Sequence, residues 1–478
     1  MGDMVSKKKT DSTVGLAQSD LPASGTQRKA VSKSATSSAR QTKSNASSKT
    51  LKAPVPSVPQ DEPEVLPFVS VVMPSLNQAP FLEAAIRSVL EQPYDRLELV
   101  VADGQSTDGT VELLVHLQRE FGARLRWVSQ QDSGPAQAIN TAISLAQGEI
   151  IGWLNSDDLY AEGAVVNAVE HFVNNPWVEM LYGLAEHIDA SGHVLNTYPS
   201  LPPSTPIEKF SDGSFICQPT VFLRREALDI IGPLDESIKT AFDFDLWLRF
   251  FIRFPRQISW IQRIQAYSRL HAACLTQKQR RLVALDGMKV VAKHLTVAPQ
   301  HWFWTHLDEM CETYPFGPDQ EPLLKQLQSF ILDSKGFLSA EDLKTVGLQL
   351  RTDMRLNLVK PGLMATVQPD AWVSHEVAVK YRWTDKPASA VLLHCVASWP
   401  DVGTMTLRVR SPHGEEQVSE IEVPDEFVLR FEVPATDVPG LMMWTVQTDQ
   451  GFVPAKHDAE STDDRELSFK VLELKLLS

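Results

Sequence analysis

The sequence predicts an α/β protein: a mainly parallel, nucleotide-binding sheet with flanking helices, then a helical segment and a C-terminal antiparallel β-sandwich. Three observations carry this prediction. From Phe68 to Leu154, apolar runs of strand length alternate with stretches whose apolar residues recur at helical spacing, joined by short connections. One run, Ile150 to Leu154, ends abruptly at the adjacent carboxylates Asp157 and Asp158. From about Ala365, short alternating stretches such as Glu376–Tyr381 and Thr406–Arg410 are broken by Pro, Gly and Asp, the texture of a sandwich.

In chain order, Val69–Met73 reads as a strand, and Phe81, Leu82, Ala85, Ile86, Val89 and Leu90 mark a helix. Leu97–Ala102 is a second strand ending at Asp103, and Ser106–Thr110 supplies turn and capping residues for a helix to Phe121. Leu125–Ser129 is a third strand, Ala136–Ala146 a helix stopped by Gly148, and Ile150–Leu154 the strand that ends in the acids. Crossovers of this kind are right-handed. The first strand lacks a GxGxxG, which disfavours a dinucleotide site. Residues 160–270 are less regular, with a strand over Val178–Ile188, a hairpin at Ser191-Gly192 and helices from Arg225 and Phe242. Residues 275–350 read as amphipathic helices. The expected divisions are a tail over 1–66, a catalytic domain over 67–275, a helical segment over 276–364 and a β-sandwich over 365–478.

In an open α/β sheet, ligands bind beyond the carboxyl ends of the strands. Asp157 and Asp158 therefore sit at the mouth, where two acids repel unless a cation or hydrogen-bonding ligand shares them. A hard divalent ion holding a diphosphate is the natural third party. A solvated helix N-cap is the competing reading.

The chain carries a net charge of −15, unsuited to a general nucleic-acid binder. Charge is uneven: residues 1–52 hold ten Lys/Arg against Asp3, Asp11 and Asp20, a net of +7, which leaves −22 for the remainder. Residues 1–66, rich in Ser, Thr, Lys and then Pro, cannot bury enough apolar surface to order themselves. Such a basic tail suits an anionic membrane surface or an acidic partner. Cys217, Cys274, Cys311 and Cys395 lack CxxC spacing, and no signal-peptide core follows Met1. The expected place is the cytoplasm, with peripheral contact at the inner face of the membrane.

Four motifs occur in order: Val71-Val72-Met73-Pro74-Ser75-Leu76-Asn77, Val101 to Thr110 around Asp103, Asp132-Ser133-Gly134, and Trp153-Leu154-Asn155-Ser156-Asp157-Asp158. Together they resemble the family 2 glycosyltransferases with a GT-A-type fold, over roughly residues 68–275. The resemblance implies a nucleotide-diphospho-sugar donor, taken as a UDP-sugar, and a saccharide or glycolipid acceptor. It implies that Pro74, Ser75, Asn77 and Asp103 hold base and ribose, with Asp132 and Gly134 as the Asp-x-Gly element. Asp157 would face the ribose and Asp158 the Mg2+ or Mn2+ ion. Gly104 stands where many members carry a second acid, and Asn155 where they carry the first of the acidic cluster.

Phe242-Asp243-Phe244-Asp245-Leu246-Trp247 resembles the family's base motif, which makes Asp243 the catalytic base and Asp245 a brace paired with Arg249. A plain helix N-cap is the other reading of Asp243. Tyr267-Ser268-Arg269-Leu270-His271 resembles the Arg-x-His that closes such domains, implying a phosphate contact for Arg269 and a metal-ligand role for His271. A purely structural histidine is the alternative. The expected activity is inverting, metal-dependent sugar transfer in polysaccharide or glycoconjugate synthesis. An inactive carbohydrate-binding scaffold and a sugar-nucleotide pyrophosphorylase are the rivals. The latter would want a glycine-rich basic loop after the first strand, and Pro74–Phe81 has neither glycine nor a basic residue.

Overall fold

The structure is a computed structural model, which describes residues 66–313, 322–383, 387–434, 440–458 and 460–477. The tail expected over 1–66 lies outside them up to residue 65.

The first half is built as strand–helix units: β1 (Val69–Ser75), α1 (Ala79–Leu90), β2 (Leu97–Asp103), α2 (Thr110–Phe121), β3 (Leu125–Ser129), α3 (Pro135–Leu145) and β4 (Ile150–Trp153). Strands β1, β2 and β4 are buried along their full length, the signature of a sheet covered on both faces. There follow β5 (Leu159–Tyr160), α4 (Ala164–Asn174), β6 (Met180–Ile188), β7 (Val194–Thr197), β8 (Phe222–Arg224), α5 (Arg225–Ile231), α6 (Phe242–Arg253) and β9 (Ile258–Arg269). Among the described residues these strands form one sheet in the order β3-β2-β1-β4-β8-β6-β9-β5, with β7 on β6. Pairing is parallel from β3 through β4 and again between β6 and β9, and antiparallel where β8 and β5 join. The parallel half sends the carboxyl ends of β1, β2 and β4 to one edge, which places their loops together.

Strand β9 and the short strands β5 and β8 were not marked by the sequence pattern. Strand β9 carries Gln262 and Arg263 in its middle, and its register on β6 shifts around Leu184, so simple alternation fails.

A helical stretch follows: α7 (Leu275–Lys278), α8 (Arg280–Leu295), α9 (His301–Thr313), α10 (Leu323–Ser334), α11 (Ala340–Gln349) and α12 (Arg355–Leu358). It shares one core with the sheet. Phe244 of α6 stacks on Trp302 of α9 at 6.4 Å, and the Trp302 Nε1 donates to Ser211 O at 2.6 Å. Gly287 of α8 is obligatory in this packing, because a Cβ there would lie 2.3 Å from the Trp302 ring.

The C-terminal strands are β10 (Leu363–Ala365), β11 (Trp372–Val373), β12 (Glu376–Arg382), β13 (Ala390–Ala397), β14 (Gly403–Arg410), β15 (Glu416–Val423), β16 (Asp425–Glu432), β17 (Leu441–Thr448) and β18 (Phe469–Leu477). They make two antiparallel sheets, β10-β12-β17-β14-β15 and β11-β18-β13-β16, around a common apolar core. Trp383 and Trp444 are buried in that core. Trp372 packs edge-on against Phe452, and the Trp399 Nε1 donates to Ser468 O. The sandwich tryptophans thus serve packing. No helix among the described residues is long and apolar enough to cross a membrane.

The tie between α6 and α8 is ionic. Asp245, fully buried, accepts from Arg249 Nε at 2.9 Å, Lys293 Nζ at 2.8 Å and His294 Nε2 at 2.8 Å. Burial alone pushes this carboxyl up, but the bonds from His294 and Lys293 and the Arg249 charge win and hold it at about 2. Its pKa is lower folded than unfolded, so it contributes stability above about pH 4, and that contribution is lost as pH falls toward 2. Asp245→Asn removes the buried carboxylate that Arg249, Lys293 and His294 share, and is expected to lower unfolding free energy at pH 7 by about 3–5 kcal/mol in urea denaturation. A loss below about 1 kcal/mol contradicts the assignment of Asp245 as the α6–α8 brace.

Candidate active site

The site forms where β1, β2 and β4 end. Strand β4 runs into Leu154–Asp158, and that loop is fixed by its own polar side chains. Asn155 Oδ1 accepts from Trp153 Nε1 at 3.1 Å, and Asn155 Nδ2 donates to Gln218 Oε1 at 2.9 Å and to Asp158 Oδ2 at 3.3 Å. Gln218 Nε2 in turn donates to Trp153 O at 2.8 Å. Gln218-Pro219-Thr220 therefore braces the acidic loop.

The two adjacent acids part company. Asp158 is 4% exposed, and its Oδ1 accepts the backbone N–H of Arg269 at 2.7 Å. Burial, reinforced by the Asp157 charge, pushes its carboxyl well above the usual range. Asp157 is half-buried, and its Oδ2 lies 3.0 Å from His271 Nε2. The metal reading placed Asp158 with His271, whereas the structure pairs His271 with Asp157 and turns Asp158 into the protein. The physical reason is that Asp158 is needed to anchor the loop on the end of β9.

Arg269 is 7% exposed, and its donors go to backbone carbonyls. Nε donates to Asp157 O at 2.7 Å, and Nη1 to Asp189 O at 3.0 Å and Ala190 O at 3.2 Å. Its guanidinium covers the Phe81 ring at 5.0 Å, and Phe81 packs against His271 at 4.7 Å. This arrangement holds three loops together and leaves little of Arg269 for a phosphate.

On the β1–β2 side, Pro74 and Ser75 pair with Ala102 and Asp103. Asp103, 1% exposed, accepts from Ser106 N and Oγ and from Ser129 Oγ. Asn77, at φ +54°, accepts Thr107 N at 2.9 Å and donates its own N–H to Ser106 Oγ at 2.7 Å. Both side chains shape the 104–109 loop. The carboxylate left half-exposed here is Asp132. A Cβ at Gly104 would lie 2.8 Å from Asp132 Oδ2, so the glycine makes room for that acid. Gly134, at φ +137° ahead of α3, donates its N–H to Asp132 Oδ1 at 2.9 Å, a conformation L side chains rarely adopt.

Asp243 sits in the first turn of α6, within reach of the helix-start N–H groups. Burial raises its carboxyl to about 6, against the opposing pull of those N–H groups. The buried Cys217 thiol, pushed up first by burial, is raised further by both Asp158 and Asp243. Phe242 stacks on Trp153 at 5.8 Å, which joins the start of α6 to the end of β4.

Residues 70–231 match the family model described as "Glycosyl transferase family 2". The chain carries a family 2 glycosyltransferase domain. An uncharacterized glycosyltransferase of Rickettsia felis is 26% identical over 310 residues, covering 62% of this chain and 48% of its own length. Chondroitin synthase of Escherichia coli is 29% identical over 186 residues, 38% of this chain and 26% of that protein. The chain thus spans about half or less of these relatives. The crystal structure of S. aureus TarS 1–349 in complex with UDP aligns with a TM-score of 0.39 at 17% identity, covering 59% of this chain and 91% of that one.

Within the glycosyltransferase domain, sequence reasoning passed over Cys217, Phe81 and the Trp153–Phe242 stack, which matter through tertiary contact. Gly104 was the available signal for Asp132: a glycine where an acid is usual is a site another acid can enter. A raised Asp243 also has a stability consequence. Its folded pKa of about 6 exceeds the unfolded value of 3.8, so stability falls as pH rises between them. Asp243→Asn should therefore unfold at a higher temperature than wild type at pH 8, with the difference vanishing near pH 4. A variant less stable at pH 8 would show that the carboxylate is favourably paired instead.

Proposed function

We propose that the chain is an inverting glycosyltransferase that moves a sugar from a nucleotide-diphospho-sugar to a hydroxyl of a saccharide acceptor. The observation that supports this reading is the placement of Asp243, with its carboxyl at about 6, beside the acidic loop: it and Asp158 both act on the Cys217 thiol, and Phe242 stacks on Trp153 just ahead of that loop, where Asp157 meets His271. A base with a pKa near the working pH both stays largely ionised and holds a proton well. The relatives named chondroitin synthase and hyaluronan synthase support a saccharide acceptor and a place in polysaccharide synthesis.

In this reading Asp243 accepts the proton of the acceptor hydroxyl as its oxygen bonds to the anomeric carbon. The bond from that carbon to the diphosphate breaks on the opposite side, and the nucleoside diphosphate leaves with the electron pair. One displacement inverts the anomeric centre. Asp132, seated over Gly104, offers a carboxylate to a base that presents a ring N–H, as uracil, thymine and guanine do.

Asp157 and His271 supply a carboxylate and an imidazole. Among the described residues no three His, Cys, Asp or Glu groups converge into a closed cage. The pair therefore fits a divalent ion that brings phosphate oxygens and water for its remaining positions, as Mg2+ or Mn2+ does with nucleotides. When bound, such an ion neutralises the leaving diphosphate. Asp158 positions the loop that presents Asp157.

A screen of UDP-, GDP- and dTDP-sugars with Mn2+ finds the donor, and NMR of the product reads its anomeric configuration. With that donor, Asp243→Asn is expected to lower the transfer rate by about 10²–10⁴-fold with donor affinity unchanged. Wild-type rate is expected to fall below about pH 6, where Asp243 is protonated. A retained configuration, or near wild-type transfer by Asp243→Asn, overturns the mechanism.

A further inference from the structure

A second cleft lies away from the recess just described, between the helical stretch and the start of the sandwich. Its volume is about 580 Å3, within the range of small-molecule sites. Trp304 of α9 forms one wall, and Pro369 and Asp370, just ahead of β11, the other, with Gln349, Asp353 and Arg355 between them. The half-exposed Trp304 ring is held in place by its Nε1, which donates to Gln300 Oε1 at 3.2 Å.

The charges in this cleft are already spent on one another. Arg355 Nε and Nη2 donate to Asp353 at 3.0 and 2.7 Å, and its Nη1 is bonded to Asp308. Asp370 Oδ2 accepts from Arg465 Nη2 at 2.7 Å. A guanidinium saturated in this way has no fork left for a phosphate, sulfate or carboxylate. What remains is one aromatic face, the His301 imidazole, carboxylate lone pairs fixed in place by their partners, and the Gln300 and Gln349 amides, which both donate and accept. A purely apolar ligand would leave those oxygens unpaired, at a cost. A pyranose matches the set: its C–H face lies on an indole and its hydroxyls reach planar polar side chains.

We propose that this cleft is a second saccharide-binding site, selective for a neutral sugar chain. The proposal goes beyond transfer at the strand ends and stands without it, because binding here needs neither Asp243 nor Asp157. The two sites are linked through α9. Trp304 lies two residues beyond Trp302, the ring that stacks on Phe244 beside Asp243. A chain held in the cleft is thereby tied to the element that carries the base.

Affinity electrophoresis of the full chain in gels cast with dextran, galactan, mannan or soluble glycol chitin tests this, with heparin as the anionic probe. Wild type is expected to be retarded by at least one neutral polysaccharide and not by heparin. Trp304→Ala should weaken that retardation about tenfold or more, the effect of losing one stacking platform. Thr352→Trp places a bulky ring on an exposed turn that lines the cleft, leaves the core untouched, and should do the same. Asp157→Asn should remain retarded like wild type, which separates this site from the strand-end recess. Absence of retardation by every neutral polysaccharide, retardation by heparin alone, or full retardation of folded Thr352→Trp overturns the proposal.

Discussion

The arrangement of the strand-end recess depends on one hydrogen bond across the fold. The buried Asp158 Oδ1 accepts the backbone N–H of Arg269 at 2.7 Å, joining residues 111 apart in the chain. It draws the end of β9 onto the loop after β4. Once that contact forms, Arg269 can bond the Asp157 carbonyl and the carbonyls of Asp189 and Ala190, and His271, two residues on, meets the Asp157 carboxylate. A carboxylate buried for this purpose carries a desolvation penalty, which its N–H partners offset only in part. That division of labour explains why two adjacent acids occur where one would suffice as a ligand.

The second constraint is aromatic. Trp153, at the end of β4, stacks on Phe242 at the start of α6, and Phe244 stacks on Trp302 of α9. These rings flank Asp243 in sequence and fix the first turn of α6 against the acidic loop on one side and the helical stretch on the other. Rigidity there matters because a proton acceptor works only within hydrogen-bond reach of its hydroxyl. The ionic cluster around Asp245 locks the same helix from behind. Positions two apart on α6 thus serve opposite ends, with Asp243 raised by burial and Asp245 lowered by its cations.

The parallel half of the sheet was legible in the sequence because buried parallel strands read as unbroken apolar runs. Ile150–Leu154 and Val69–Met73 declare themselves with no partner in view. The antiparallel additions were not legible. Strand β9 is polar in its middle, and β5 and β8 are two and three residues long. The site was legible as a list of residues and much less as a set of roles. Neighbouring positions such as Asp157 and Asp158 differ only in which way each turns, and that is decided by Arg269 far along the chain. Likewise Asp103 spends its oxygens on Ser106 and Ser129, while Asp132 occupies the room Gly104 leaves. Local sequence carries none of these pairings.

The central claim is that Asp157, held by the Asp158–Arg269 tether and paired with His271, faces the donor diphosphate, while Asp243 stands on the acceptor side. Calorimetry of UDP and GDP binding with and without Mn2+ tests it most directly, comparing wild type, Asp157→Asn and Asp243→Asn. The account predicts that Mn2+ tightens binding of one nucleotide to wild type and to Asp243→Asn, and that Asp157→Asn loses this increment while remaining folded. An Asp157→Asn protein that keeps the full Mn2+-dependent increment would contradict it.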